Sequence, residues 1–207
     1  MDLAGLFDRV RRLRGGAPFE GTPHIVVGTG NPGPEYRDTR HNAGFWCIDR
    51  LAERAGTKLR RAHRHALVAV TQINGEPVVL AKPRTFVNRS GLAAAYLLNR
   101  FAAGPERLIA VVDDVHLPPG SVRVRARGSA GGHKGLKSIA ESIGTSDFAR
   151  VRIGIGAPDD PANLVEHVLS SLPPGERELV NEAVERAADT VAAILADGIE
   201  PAMKSYN

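Results

Sequence analysis

Strand-like and helix-like runs alternate along most of this chain, and that alternation limits its fold more than any other feature. Short apolar runs rich in β-branched residues occupy 25–28, 66–72, 77–81, 108–113, 122–126 and 151–154, and helical periodicity marks 42–55, 91–101, 136–142 and 174–195. Strands joined through helices pair in parallel, because the connection must carry the chain back to the starting edge. Asn74-Gly75 is different: this dipeptide favours a type I′ turn, so runs 66–72 and 77–81 are expected to pair as an antiparallel hairpin. The expectation is a three-layer α/β sandwich with a central mixed, mostly parallel sheet flanked by helices.

The loop after the first strand carries the densest chemistry. Its opening residues, Gly28 to Gly33, match G-x-G-x-x-G and follow an apolar run, as a dinucleotide-binding turn would. That turn must lead straight into a helix whose N-terminus faces a pyrophosphate. Pro32 and Pro34 bracket the third glycine and bias the residues before them away from helix, and Glu53 lies inside a helical pattern instead of ending a second strand. The stretch therefore reads as a loop that gathers Asn31, Tyr36, Arg40, His41 and Asn42 where open α/β folds place ligands. Taken singly, Asn31 is better explained as a turn former and His41 as a helix cap; their meaning depends on partners elsewhere in the chain.

At 207 residues with 43% hydrophobic and 24% charged positions, the chain can build an ordinary globular core. No apolar run reaches the roughly 18 residues of a membrane span, and the first residues lack a signal-peptide core, so a cytoplasmic protein without a membrane partner is expected. A single cysteine, Cys47, excludes an internal disulfide framework and reads as a core residue; no Cys/His spacing suggests a metal. Residues 1–20 form a separate extension in which Leu3, Leu6, Phe7, Val10 and Leu13 make one helical stripe among arginines, ahead of a domain spanning 21–207.

The net charge of +4 is modest, but its distribution is uneven. Arg123, Arg125 and Arg127 alternate along one strand-like run, and Arg150 and Arg152 repeat that spacing in another. Such rows suit phosphate contacts, or equally the charged edge that keeps a sheet from pairing with another. Further polar residues fall at strand-to-helix junctions: Phe86 and Asn88 in RTFVNRSG, Asp113 ending LIAVV, and His133 with Lys134 in a glycine-rich segment before a helix. A histidine, a carboxylate to orient it, and amides to hold carbonyl groups together describe a general-base hydrolytic site.

The motifs GTGNPGPEYRDTRHNAG, RTFVNRSG, DDVHLPPGSVRVR, GGHKGLKSIAESIG, FARVRIGIGAP and AMKSYN, in this order, resemble those of the bacterial-type peptidyl-tRNA hydrolases over about 25–207. The resemblance implies a monomer that needs no cofactor and that hydrolyses the ester between peptide and tRNA. It implies His41 as the base that activates water, Asp113 as the acid that orients it, and Asn31 as the reader of a peptide carbonyl. By the same resemblance Tyr36, Phe86 and Asn88 bind substrate, and Arg125 with Arg152 grip a tRNA phosphate. His133 and Lys134 are expected beside them as substrate-binding residues, Lys134 either reaching a tRNA phosphate or placing its charge near His41 and lowering the imidazole pKa. The chain departs from the family pattern at Lys134, where the family has Asn, at His116, where it has an acid, and at Val87, where it has Met. These departures leave a second reading open, an RNA-binding member of the fold that does not hydrolyse.

Overall fold

The computed structural model describes residues 21–207, so the expected extension 1–20 lies outside the described residues. Seven strands form one sheet: β1 His24–Gly28, β2 Arg60–His63, β3 Ala66–Ile73, β4 Glu76–Pro83, β5 Leu108–Asp114, β6 Val122–Arg125 and β7 Ala149–Gly154, in the order β2-β3-β4-β1-β5-β7-β6. The central pairings of β1 with β4, β1 with β5 and β5 with β7 are parallel, and the outer three are antiparallel. Because β2 is antiparallel to β3 and β3 to β4, only β3 and β6 oppose the common direction. The sheet is mixed and mostly parallel, as expected.

The hairpin forms as its turn residues dictate. Asn74 and Gly75 both take positive φ, 52° and 83°, the requirement of a type I′ turn.

The described residues form six helices: α1 Ala43–Arg54, α2 Gly91–Arg100, α3 Lys134–Ile143, α4 Leu164–Leu169, α5 Pro174–Asp197 and α6 Ile199–Tyr206. Alternation along β1 divides the core in two. Val26 faces a layer with Cys47 and Ile48 of α1 and Val184 and Val191 of α5, while Ile25 and Val27 face Leu97 of α2 and Ile139 of α3. Each such buried aliphatic side chain contributes roughly 1.5–3 kcal/mol relative to exposure. Cys47 is fully buried, which pushes its thiol up to about 12. Among the described residues no helix is long and apolar enough to cross a membrane.

The glycines of the first loop serve packing. A Cβ on Gly28 would run into the Gly44 carbonyl and Ile48, and one on Gly44 would meet the backbone of Thr29 and Val111. Strand β1 and the start of α1 therefore touch backbone to backbone. The chain after Gly28 stays irregular up to a 3-10 turn at Pro34–Tyr36, in agreement with the proline argument against a dinucleotide-binding helix.

Candidate active site

The strand order reverses about β1, whose two parallel neighbours come from later, separate parts of the chain. Beyond the C-terminal ends of β1, β4 and β5 lies a cavity of about 380 Å³. Its lining brings together Asn31, Tyr36, His41, Phe86, Asn88, Asp113, His133, Lys134 and Arg152, which lie far apart in the chain. Arg125 is on β6 and does not line it.

His41 sits in a 3-10 turn, Arg40–Asn42, that leads into α1. Arg40 anchors this turn: its guanidinium donates to Ser170 Oγ at 2.6 Å and the Ser171 carbonyl at 2.8 Å, and pairs with Glu176 at 2.8 Å. The backbone N–H of Arg40 also donates to the Ser170 carbonyl. The turn that carries His41 is thus tied to the junction of α4 and α5.

His41 Nδ1 lies 2.9 Å from both oxygens of Asp113, whose side chain is only 2% exposed. A second imidazole meets the same carboxylate: His133 Nε2 is 3.1 Å from Asp113 Oδ1. His133 Nδ1 accepts from the backbone N–H groups of Gly135 and Leu136, so His133 is the N-cap of α3. That network assigns tautomers. His133 must carry its proton on Nε2, and a neutral His41 that donates from Nδ1 keeps a lone pair on Nε2. Three potential ligand atoms of His41, Asp113 and His133 lie within 4.8 Å of one another, but a metal ion there would have to displace a proton from each ring.

Burial disfavours the charged form of His41. The Asp113 charge and hydrogen bond outweigh burial, and despite an opposing pull from Lys134 the pKa is raised above 6.5. Burial likewise works against ionised Asp113, but the two histidines hold its carboxyl well below the usual carboxylate range.

The amides are as strictly arranged. Asn31 Oδ1 accepts from Val87 N–H at 3.0 Å, which leaves its Nδ2 hydrogens for other acceptors. The Asn42 side chain splints the Asn31 backbone from both sides, accepting from its N–H at 2.7 Å and donating to its carbonyl at 3.1 Å. Asn88 lies in the 3-10 turn Val87–Arg89 that precedes α2, not in the helix itself. Tyr36 and Phe86 meet edge to face with centroids 5.9 Å apart, and Phe86 is 53% exposed.

His133, expected to bind substrate, lines the cavity with both ring nitrogens engaged, one by Asp113 and the other by the start of α3. Two sequence expectations change. Arg127 lies beyond β6, so the first arginine row is shorter than expected. Arg150 is 2% exposed, stacks on Phe148, and donates to the carbonyls of Gly128, Ser129 and Ser146, which makes it a clamp on the glycine-rich segment. Arg152 lines the cavity with its Nε 3.0 Å from Asp114 Oδ2, an ion pair by distance without an aligned hydrogen bond from that nitrogen.

The cavity also has an apolar wall that sequence reasoning missed. Leu164, Val165, Val168 and Leu169 of α4 line it, and Val165 is 58% exposed. Their i, i+1, i+4, i+5 spacing was the available signal, but a helix of six residues gives too short a periodic pattern to stand out.

The family model of peptidyl-tRNA hydrolase matches residues 25–207. The chain belongs to the peptidyl-tRNA hydrolase family. A peptidyl-tRNA hydrolase of Desulforamulus reducens is 43% identical over 183 residues, covering 88% of each chain. One from Caldanaerobacter subterraneus is 45% identical over 184 residues, covering 89% of this chain and 99% of its own. The crystal structure of peptidyl-tRNA hydrolase from Acinetobacter baumannii superposes with a TM-score of 0.83 at 34% identity, over 92% of this chain and 97% of that one. The peptidyl-tRNA hydrolase relationship thus spans the whole sheet and the cavity at its edge.

Proposed function

We propose that this chain hydrolyses the ester between the peptide and the 3′ end of tRNA in peptidyl-tRNA, in the cytoplasm and as a monomer. The observation that carries the reading is the His41–Asp113 pair: the carboxylate accepts a hydrogen bond from Nδ1–H, and Nε2 is left as a base beside a cavity large enough for an acyl group. In this reading a water held by Nε2 attacks the ester carbonyl. Asp113 stabilises the imidazolium that forms, and the same proton then passes to the departing ribose oxygen.

The other residues divide the substrate among them. Asn31 Nδ2 donates to the first peptide carbonyl, a group that free aminoacyl-tRNA lacks. Asn88 holds the acyl backbone, and the π-faces of Tyr36 and Phe86 suit the terminal base. Arg125 and Arg152 contact phosphate, which gives affinity without base sequence preference. The polar residues meet an apolar wall at α4, so one side of the cavity suits peptide side chains.

Turnover of an N-blocked aminoacyl-tRNA against its unblocked counterpart tests this. Hydrolysis of the blocked form alone is expected, and His41→Ala should lower the rate by roughly two to four orders of magnitude. Tight tRNA binding with no turnover by the unaltered chain would leave the RNA-binding reading in its place.

A further inference from the structure

Among the described residues, all but one of the Asp, Glu, Lys and Arg side chains that line the cavity have a charged or hydrogen-bonding partner. Asp113 holds two imidazoles, and Asp114 faces Arg152 and accepts from the His116 N–H. Lys134 lines the same cavity, and no carboxylate among the described residues pairs with it. It is exposed, so packing does not account for it. Lys134 is also the first residue of α3, the end of a helix where the backbone dipole disfavours a cation, whereas Lys137 one turn on has Glu141 at 3.8 Å. A residue that breaks a local rule without a compensating contact marks function more often than stability.

Its position is fixed by the base's own partner. Lys134 directly follows His133, whose ring is bound both to Asp113 and to the first N–H groups of α3. The backbone that presents the ammonium is thereby held to the carboxylate that orients His41. The charge is felt at the base, since Lys134 pulls the His41 pKa down against Asp113. The other titratable groups sharing the cavity are Tyr36, Asp114, His116, His133 and Arg152.

We propose that Lys134 is a catalytic residue of the ester cleavage, its ammonium donating to the carbonyl oxygen of the scissile ester as that oxygen takes up negative charge. The inference rests on the hydrolytic reading above. Water oxygen bonds to the carbonyl carbon, one water proton moves to His41 Nε2, and the C=O pair moves onto oxygen, where the ammonium stabilises it. Collapse of this adduct restores C=O and breaks the bond to the ribose oxygen, which takes the proton from Nε2. The products are the peptide acid and the tRNA hydroxyl. The same charge disfavours imidazolium before attack and so opposes the rise that Asp113 imposes on the base.

The test compares Lys134→Met and Lys134→Arg in the full chain, with N-blocked aminoacyl-tRNA as substrate and thermal unfolding as the control for folding. Lys134→Met should lower kcat by roughly 10²-fold with KM little changed, the scale of losing one oxyanion donor, and Lys134→Arg should recover most of the loss. The acid limb of kcat/KM should move to higher pH in Lys134→Met and return in Lys134→Arg. An unchanged kcat overturns the proposal. So does a rise in KM alone that high salt abolishes, because that marks a phosphate contact instead. Absence of turnover by the unaltered chain overturns the hydrolytic reading itself, whereas active wild type with an equally active Lys134→Met overturns only this inference.

Discussion

His133 and Asp113 are joined through the one ring nitrogen that His133 has free, because its other nitrogen caps α3. One imidazole therefore couples the start of a helix to the carboxylate that orients the base. His133→Asn separates the two duties: an Asn side chain caps a helix well but is too short to replace the ring's reach to Asp113. Thermal unfolding should show both variants destabilised by loss of the Asp113 contact, with His133→Ala less stable than His133→Asn by about 1 kcal/mol, the worth of the cap. Both variants should lose activity alike. Full activity in His133→Asn would show that the contact to Asp113 is dispensable.

The pH dependence of the rate follows from the His41 environment. Its pKa is raised, so the neutral base forms only above the ordinary 6.5, and the acid limb of kcat/KM should have its midpoint above that value. Asp113→Asn removes the raising influences and leaves burial and Lys134, so the limb should shift to lower pH while the plateau falls by about 10³-fold or more. The linked stability has a definite sign. The His41 contribution is present below 6.5 and is lost as pH rises through the folded value, while that of Asp113 is present above the usual carboxylate range and is lost in acid. Melting temperature against pH, for wild type and Asp113→Asn, checks both.

Arg40 should matter more to stability than the surface partner it pairs with. Arg40→Met deprives the Ser170 side chain and the Ser171 carbonyl of their donor, at a cost of about 2–3 kcal/mol in denaturant unfolding. Glu176→Gln should cost less than about 1 kcal/mol, since that side chain is 40% exposed and the guanidinium keeps its other acceptors. Equal losses in the two variants would mean that the ion pair, not the serine contacts, holds the turn.

How far the sequence revealed this site depended on where each signal was stored. Strands β1 and β5 are buried on both faces and read as continuous apolar runs, and the Asn74-Gly75 turn was legible because backbone sterics alone determine it. The edge strand β2, Arg60–His63, was missed because its sequence RRAH carries no apolar alternation. Asn31, His41 and Asp113 were found as chemistry-bearing residues at strand ends, but their pairing came through the family resemblance, since no periodicity encodes contact across 72 positions. Arg150 and Arg152 show the limit most plainly. Spacing puts both on one face of β7, yet only the packing of the glycine-rich segment decides that one is a buried clamp and the other lines the cavity.

That division gives the last prediction. Arg125 is half-buried on the edge strand and, among the described residues, donates only to its own neighbour's carbonyl, at 3.0 Å, so its guanidinium keeps most of its donors for a phosphate. Arg125→Ala should weaken tRNA binding about equally for different tRNAs and reduce the slope of log affinity against log salt by about 1, with the melting temperature unchanged. Arg150→Ala should do the reverse. It leaves the carbonyls of Gly128, Ser129 and Ser146 without their donor, so it should lower the melting temperature, while the salt slope stays as in wild type because a buried guanidinium meets no phosphate. Binding measured by filter retention across a salt series, alongside calorimetry, separates the two. A reduced salt slope in Arg150→Ala would return that residue to the phosphate-binding row.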